Sequence, residues 1–105
     1  MKAMNIDAKN FENMISGEKA VLVDYWAPWC GYCRRIGPAY DKVAENWADK
    51  VNVVKVNIDE EGELAIREHI EVIPTLVLYR GGKALGSIVA PESKAAIDEF
   101  LSQNL

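Results

Sequence analysis

The two cysteines of this chain, Cys30 and Cys33, are separated by two residues and lie between an apolar run and a helical pattern. Residues 20–26 are almost wholly apolar, which predicts a central strand covered on both faces. From Ile36 onward apolar residues recur at helical spacing, which predicts a helix from the cysteines to about Ala48. A Cys-X-X-Cys pair at a strand-to-helix junction is the local pattern of a redox dithiol. This stretch therefore constrains both the fold and the chemistry.

The predicted helix start places the two thiols in different surroundings. Cys30 is expected at the helix N-terminus and Cys33 one turn inside it. Unpaired backbone N–H groups and the positive end of the helix dipole favour a thiolate on Cys30. One thiolate of such a pair can attack a foreign disulfide, and its neighbour can resolve the mixed intermediate. The two sulfurs are also near enough to form a disulfide with each other.

A metal site is the competing interpretation of the cysteine pair. Zinc needs four ligands, and His69 is the only histidine beside the two cysteines. A zinc site within one chain is therefore disfavoured, whereas a cluster shared between chains, such as an iron–sulfur cluster, stays open. We predict no metal and no bound cofactor, the redox group being the Cys30–Cys33 pair itself.

Size and composition limit the remaining classes. The chain has 105 residues, of which 50% are hydrophobic and 27% charged, so we expect a single domain over residues 1–105 with a packed core. A net charge of −4 argues against nucleic-acid binding. No apolar run approaches the ~20 residues of a membrane span, and the N-terminus lacks the apolar core of a secretory signal. We therefore expect a cytoplasmic protein, and we expect it to be a monomer. In the cytoplasm a lone cysteine pair is more often catalytic than structural.

The order of the predicted elements indicates an α/β fold, with a central mixed five-stranded sheet flanked by four helices. Asp7, Asp59 and Ser93 are the predicted helix N-caps. Chemistry in such folds gathers at the carboxyl ends of strands, where Cys30 lies. Beyond the elements already given, strands are predicted over 2–6, 51–58, 75–79 and 84–90, and helices over 8–16, after Asp59 and over 93–103.

The motif extends beyond the cysteines. Trp26-Ala-x-Trp29-Cys30-Gly31-x-Cys33, with Pro38 after it and Ile73-Pro74-Thr75 further on, resembles the thioredoxin family, and the match runs essentially end to end. The resemblance implies the thioredoxin fold and reduction of protein disulfides, with Cys30 attacking and Cys33 buried as the resolving thiol. It also implies disulfide-containing protein substrates and a thioredoxin reductase as electron donor.

Asp24 lies inside the apolar strand. A buried carboxylate is costly, and burial raises its pKa. The resemblance implies that Asp24 lies beneath the disulfide and relays a proton to or from Cys33, with Lys55 as its neighbour on the adjacent strand. The alternative is a structural Asp24–Lys55 pair without a kinetic role.

A docking surface around the dithiol is also expected. The resemblance implies a cis Ile73–Pro74 bond facing the cysteines, which leaves the Ile73 backbone free to pair with an extended substrate segment. Trp29 and Tyr32 flank the reactive sulfur and are predicted to form an exposed apolar patch. Gly31 and Ala90 complete the predicted substrate-binding residues. For Trp26, core packing and function are equally consistent with the sequence.

Two positions depart from the usual family pattern. Tyr32 stands where the family usually has proline, and it restores a backbone N–H at the helix start as a further donor to a Cys30 thiolate. A better stabilised thiolate makes a more oxidising couple, so we predict a reduction potential above that of a relative with Gly-Pro between its cysteines. Ala90 stands where glycine is common, and its methyl group is predicted to alter which partners dock.

Two alternative functions follow from the same residues. Tyrosine between the cysteines is also found in glutaredoxins, which have Cys-Pro-Tyr-Cys, so a glutaredoxin-like or isomerase-like oxidoreductase of higher potential is one alternative. A redox-sensitive binding module is the other. The tryptophan pattern and the lack of proline after Cys30 favour the thioredoxin interpretation.

Overall fold

The structure is a computed structural model that describes residues 2–105. Its five strands form one mixed sheet in the order β1-β3-β2-β4-β5. Strands β1, β3 and β2 are parallel to one another, and β4 is antiparallel to both of its neighbours, β2 and β5. This confirms the predicted α/β fold with four helices. The elements are β1 (Met4–Asn5), α1 (Ala8–Ile15), β2 (Ala20–Trp26), α2 (Gly31–Asn46), β3 (Val51–Asn57), α3 (Gly62–Arg67), β4 (Thr75–Arg80), β5 (Lys83–Val89) and α4 (Lys94–Asn104).

Strand β2 lies at the centre of the sheet and is buried on both faces, as its apolar sequence predicts. Leu22 packs into one core layer with residues of α2 and α4. Val23 and Tyr25 pack into the other with residues of α1 and α3. In that second layer the ring of Phe11 stands edge-on to Tyr79 at a centroid distance of 5.1 Å. The alternation of side chains along β2 therefore fixes which helices cover which face.

Two of the three predicted N-caps are confirmed. Asp7 accepts the Asn10 amide at 2.8 Å, and Ser93 accepts the Ala96 amide at 3.1 Å. The prediction for Asp59 is wrong, because α3 begins only at Gly62, after a turn at residues 57–61. The Asp59 carboxylate instead accepts the indole N–H of Trp29 at 3.1 Å.

The sheet brings three connections to one edge. Because β2 and β3 are parallel, their carboxyl ends lie together, and Cys30 follows β2 there. Because β4 is antiparallel to β2, with Thr75 opposite Tyr25, Pro74 enters the sheet at the same edge. The carboxyl end of β5 also lies here, since Val89 is opposite Thr75.

No helix within the described residues is long and apolar enough to cross a membrane.

Candidate active site

Cys30 is the N-cap residue of α2, and Cys33 lies in the first turn. The two are joined by a disulfide with their Cα atoms 5.2 Å apart. The Cys33 amide donates to Cys30 Sγ at 3.2 Å. Cys30 is half-buried whereas Cys33 is only 4% exposed, so Cys30 is the more accessible of the two residues.

The donor observed at the Cys30 sulfur is the Cys33 amide, and in this oxidised form we see no hydrogen bond to it from Tyr32 among the described residues. The extra Tyr32 donor therefore remains a prediction for the reduced protein. The Arg34 guanidinium folds back on the same turn and donates to the Pro28 carbonyl at 2.9 Å. This places a cation beside the start of the helix.

Asp24 is 2% exposed within β2. Across the described residues its Oδ1 atom has no hydrogen-bond partner. Burial raises the pKa of Asp24 to about 7, and the positive charge of Lys55 partly opposes that rise. A carboxyl group in this state can gain or lose a proton close to neutral pH.

Lys55 lies directly opposite Asp24 in the β2–β3 register. Its ammonium lies 4.6 Å from the ring centroid of Trp26, a cation–π contact. In the part of the chain that the structure describes, no ion pair within 4.0 Å joins Lys55 to Asp24. Trp26 also donates its indole N–H to Asn5 at 2.8 Å. The Lys55 ammonium therefore contacts the Trp26 ring, and within the described residues no direct Asp24–Lys55 ion pair is formed.

The Ile73–Pro74 peptide bond is cis. The segment before β4 is held by the Thr75 hydroxyl, which donates to the Val72 carbonyl at 2.5 Å. Within the described chain, neither the amide nor the carbonyl of Ile73 has a hydrogen-bond partner. An extended peptide could therefore pair with this backbone.

The side chains predicted to flank the thiol differ in exposure. Trp29 is 66% exposed, and Gly31 is exposed with open space where a side chain would begin. The expectation that Tyr32 is exposed is wrong, because its ring is half-buried and its hydroxyl donates to the Pro91 carbonyl at 2.9 Å. Ala90 lies at the same edge of the sheet with a φ of 45°, a conformation that favours glycine.

Sequence reasoning missed two residues that support this site. Asp59 orients Trp29, and Pro91 receives the Tyr32 hydroxyl. The position of Asp59 just after β3, a strand parallel to β2, was a usable signal, since parallel strands end at one edge. A backbone carbonyl acceptor such as that of Pro91 leaves no sequence signal.

Within residues 2–105 no group of three or more His, Cys, Asp and Glu side chains is placed to hold a metal ion.

A helix-capping cysteine disulfide at the edge of a mixed α/β sheet defines the class of dithiol–disulfide exchange proteins. Comparison with known proteins identifies the family within it. The thioredoxin family model matches residues 2–103. Thioredoxin from Alicyclobacillus acidocaldarius is 40% identical over 102 residues, which cover 97% of each chain. Thioredoxin 1 from a Nostoc species is 37% identical, over 90% of this chain and 88% of its own.

A solved structure gives the same result. The crystal structure of Malassezia sympodialis thioredoxin superposes with a TM-score of 0.89 at 30% identity, over 99% of this chain and 94% of that one. The chain belongs to the thioredoxin family. It is a thiol–disulfide oxidoreductase that reduces protein disulfides, and the alternative functions are not favoured. Membership also implies disulfide-containing protein substrates and a thioredoxin reductase as partner.

Proposed function

We propose that Cys30 is the attacking thiol and Cys33 the resolving thiol of a protein-disulfide reductase. The observation that carries this assignment is the unequal exposure of the two residues, Cys30 half-buried at the N-cap and Cys33 4% exposed. The Cys30 thiolate attacks one sulfur of the substrate disulfide, which forms a mixed disulfide and releases one substrate thiolate. Cys33 then attacks Cys30 Sγ, which closes the Cys30–Cys33 bond and releases the second substrate thiolate. The two electrons of the dithiol thus pass to the substrate.

Asp24 takes the proton of Cys33 as that thiol becomes a nucleophile, and it returns the proton when the dithiol is regenerated. Its burial, its unpartnered Oδ1 atom and its pKa of about 7 support this role. Lys55, opposite Asp24 in the sheet, lowers the pKa of that carboxyl and keeps it within the neutral range. The redox group is the cysteine pair itself, with no bound cofactor.

Substrates dock across three surfaces around Cys30. The exposed indole of Trp29 and the open backbone at Gly31 meet the substrate beside its disulfide. The free backbone of Ile73, next to Pro74, pairs with the extended substrate chain. Tyr32 and Ala90 form the third surface, where the Tyr32 hydroxyl bonds Pro91 and the Ala90 amide bonds the Pro74 carbonyl.

The chain acts as one domain and as a monomer, with a thioredoxin reductase supplying its electrons. A lone cysteine pair that serves exchange fits the reducing cytoplasm, where structural disulfides are rare. Size-exclusion chromatography with light scattering tests the monomer, since a dimer mass at micromolar concentration would contradict it.

Insulin reduction in the presence of dithiothreitol tests the reductase assignment. We expect the wild-type protein to accelerate precipitation of the insulin B chain, and Cys30→Ser to abolish that acceleration. Ser16→Ala, a change far from the dithiol, is the control for handling and concentration. A wild-type protein that captured substrate without turnover would support a binding module and contradict the proposal.

A further inference from the structure

The segment of residues 90–92 joins β5 to α4 and borders the dithiol. Two hydrogen bonds hold it from opposite sides. The Ala90 amide donates to the Pro74 carbonyl at 2.9 Å, and the Pro91 carbonyl accepts the Tyr32 hydroxyl at 2.9 Å. Residues 90–91 thus bridge the proposed docking backbone and the first turn of α2.

This segment is held in an unfavourable backbone conformation. Ala90 has a φ of 45°, in the left-handed backbone region that residues with a Cβ atom adopt only at an energetic cost. The segment would relax away from this conformation unless other contacts opposed the cost. A net hydrogen bond, such as that of the Tyr32 hydroxyl, can offset a cost of this order.

Pro91 is buried, whereas the next two residues, Glu92 and Ser93, are exposed beside α2. A cavity of about 370 Å³ lies between α2 and the start of α4, lined by Arg35 and Ile36 on one side and by Glu92 and Ser93 on the other. Tyr32 also lines this cavity. Beside it, the hydroxyl bond joins the first turn of α2 to Pro91.

We propose that Tyr32 is a positioning residue for protein substrates, because its hydroxyl fixes residues 90–91 against the dithiol in the conformation to which a substrate docks. This role rests on the proposed function and belongs to the tyrosine side chain, not to its backbone N–H. It differs from the effect on the thiolate, since phenylalanine keeps the N–H and the ring and loses only the bond to Pro91.

Tyr32→Phe tests the proposal by comparing two substrates. With insulin we expect kcat/KM to fall about fivefold because KM rises while kcat stays the same. Fivefold is the factor that corresponds to one net hydrogen bond of ~1 kcal/mol. With a small aromatic disulfide, Ellman's reagent, which does not reach residues 90–91, we expect a loss below twofold. Tyr25→Phe, which deletes a hydroxyl on the other face of the sheet, is the matched control. An equal loss with both disulfides, or no loss with insulin, would overturn the proposal.

Ala90→Gly separates positioning from direct contact. Glycine removes the cost of the positive φ, so in this background Tyr32→Phe should reduce kcat/KM for insulin by less than twofold. If Tyr32→Phe still reduced kcat/KM for insulin fivefold in the Ala90→Gly background, the hydroxyl would be touching the substrate itself. That result would overturn the positioning role.

Amide hydrogen exchange tests the segment without any substrate. We expect the Ala90 amide to exchange about fivefold faster in Tyr32→Phe than in the wild type, while Tyr25→Phe leaves its rate unchanged. An unchanged rate in Tyr32→Phe would refute the proposal. A wild-type protein inactive on insulin would contradict the proposed function alone, because the exchange measurement does not depend on activity.

Discussion

Replacing Asp24 by asparagine removes the buried ionisable group of β2 while keeping nearly the same shape. Asp24 is 2% exposed, and in the described chain its Oδ1 atom has no hydrogen-bond partner. The structure therefore offers the ionised carboxylate little to replace the water that it loses on folding. Asparagine carries no charge at any pH. The wild-type protein and Asp24→Asn should therefore differ most in stability at pH values where Asp24 is ionised.

The magnitude follows from the pKa. In the unfolded chain Asp24 titrates near its ordinary value of 3.8, whereas burial raises the pKa in the folded protein to about 7. Between these values the native state holds a proton that the unfolded chain has released, so the free energy of unfolding falls as pH rises. Each unit of pKa difference corresponds to ~1.4 kcal/mol, so the loss reaches about 4 kcal/mol above about pH 8. Below about pH 3, well under the pKa of the unfolded chain, both states are protonated and the loss vanishes.

Urea unfolding of the oxidised proteins, followed by tryptophan fluorescence from about pH 4 to pH 9, measures this difference. We expect the stability gained by Asp24→Asn to grow with pH by about 4 kcal/mol and to level off above about pH 8. Asp49→Asn, which removes an exposed carboxylate, controls for the loss of one negative charge. A difference between Asp24→Asn and wild type that stayed constant across this range would refute the reasoning, since it would show that Asp24 titrates alike in both states.

Three further predictions concern the site. Asp24→Asn should slow resolution of the mixed disulfide in stopped-flow reactions. The effect should be strongest above about pH 7, where the wild-type carboxylate is ionised and can take the Cys33 proton. A resolution rate matching the wild type from about pH 6 to 9 would count against the relay. Tyr32→Pro should make the couple more reducing by about 30–60 mV, since one charge-assisted donor to the Cys30 thiolate is worth ~1.5–3 kcal/mol and 1.4 kcal/mol corresponds to about 30 mV. Equilibration in thiol–disulfide buffers measures this, and an unchanged potential would exclude the Tyr32 N–H as a donor. Ala90→Gly should raise the free energy of unfolding by about 0.5–1 kcal/mol, because relief at φ 45° exceeds the added entropy of the unfolded glycine chain; a destabilised variant would show that the segment is not strained.

Much of the fold was predictable because local and long-range signals agree. The apolar run of β2 and the helical spacing after Cys33 each point to one structure, and both are confirmed. Asp7 and Ser93 cap helices, as their residue types at helix starts predict. Where signals agree across levels, a sequence specifies its structure strongly.

The errors fall where a tertiary contact overrides a local preference. Asp59 has the side chain of an N-cap, but the indole N–H of Trp29 takes its carboxylate and α3 begins later. Tyr32 flanks the dithiol as predicted, yet its hydroxyl turns to the Pro91 carbonyl, a partner distant in sequence. The positive φ of Ala90 likewise depends on how β5 meets α4. Alanine carries no sequence signal for that conformation.

Trapping the mixed disulfide tests the central claim most directly. A reduced Cys33→Ser protein lacks the resolving thiol, so incubation with an oxidised protein substrate should accumulate one covalent adduct, linked through Cys30 by mass spectrometry of the peptides. Reduced Cys30→Ser should form far less, because its remaining thiol is buried. Equal adduct from both variants, or adduct from Cys30→Ser alone, would contradict the assignment of Cys30 as the attacking thiol.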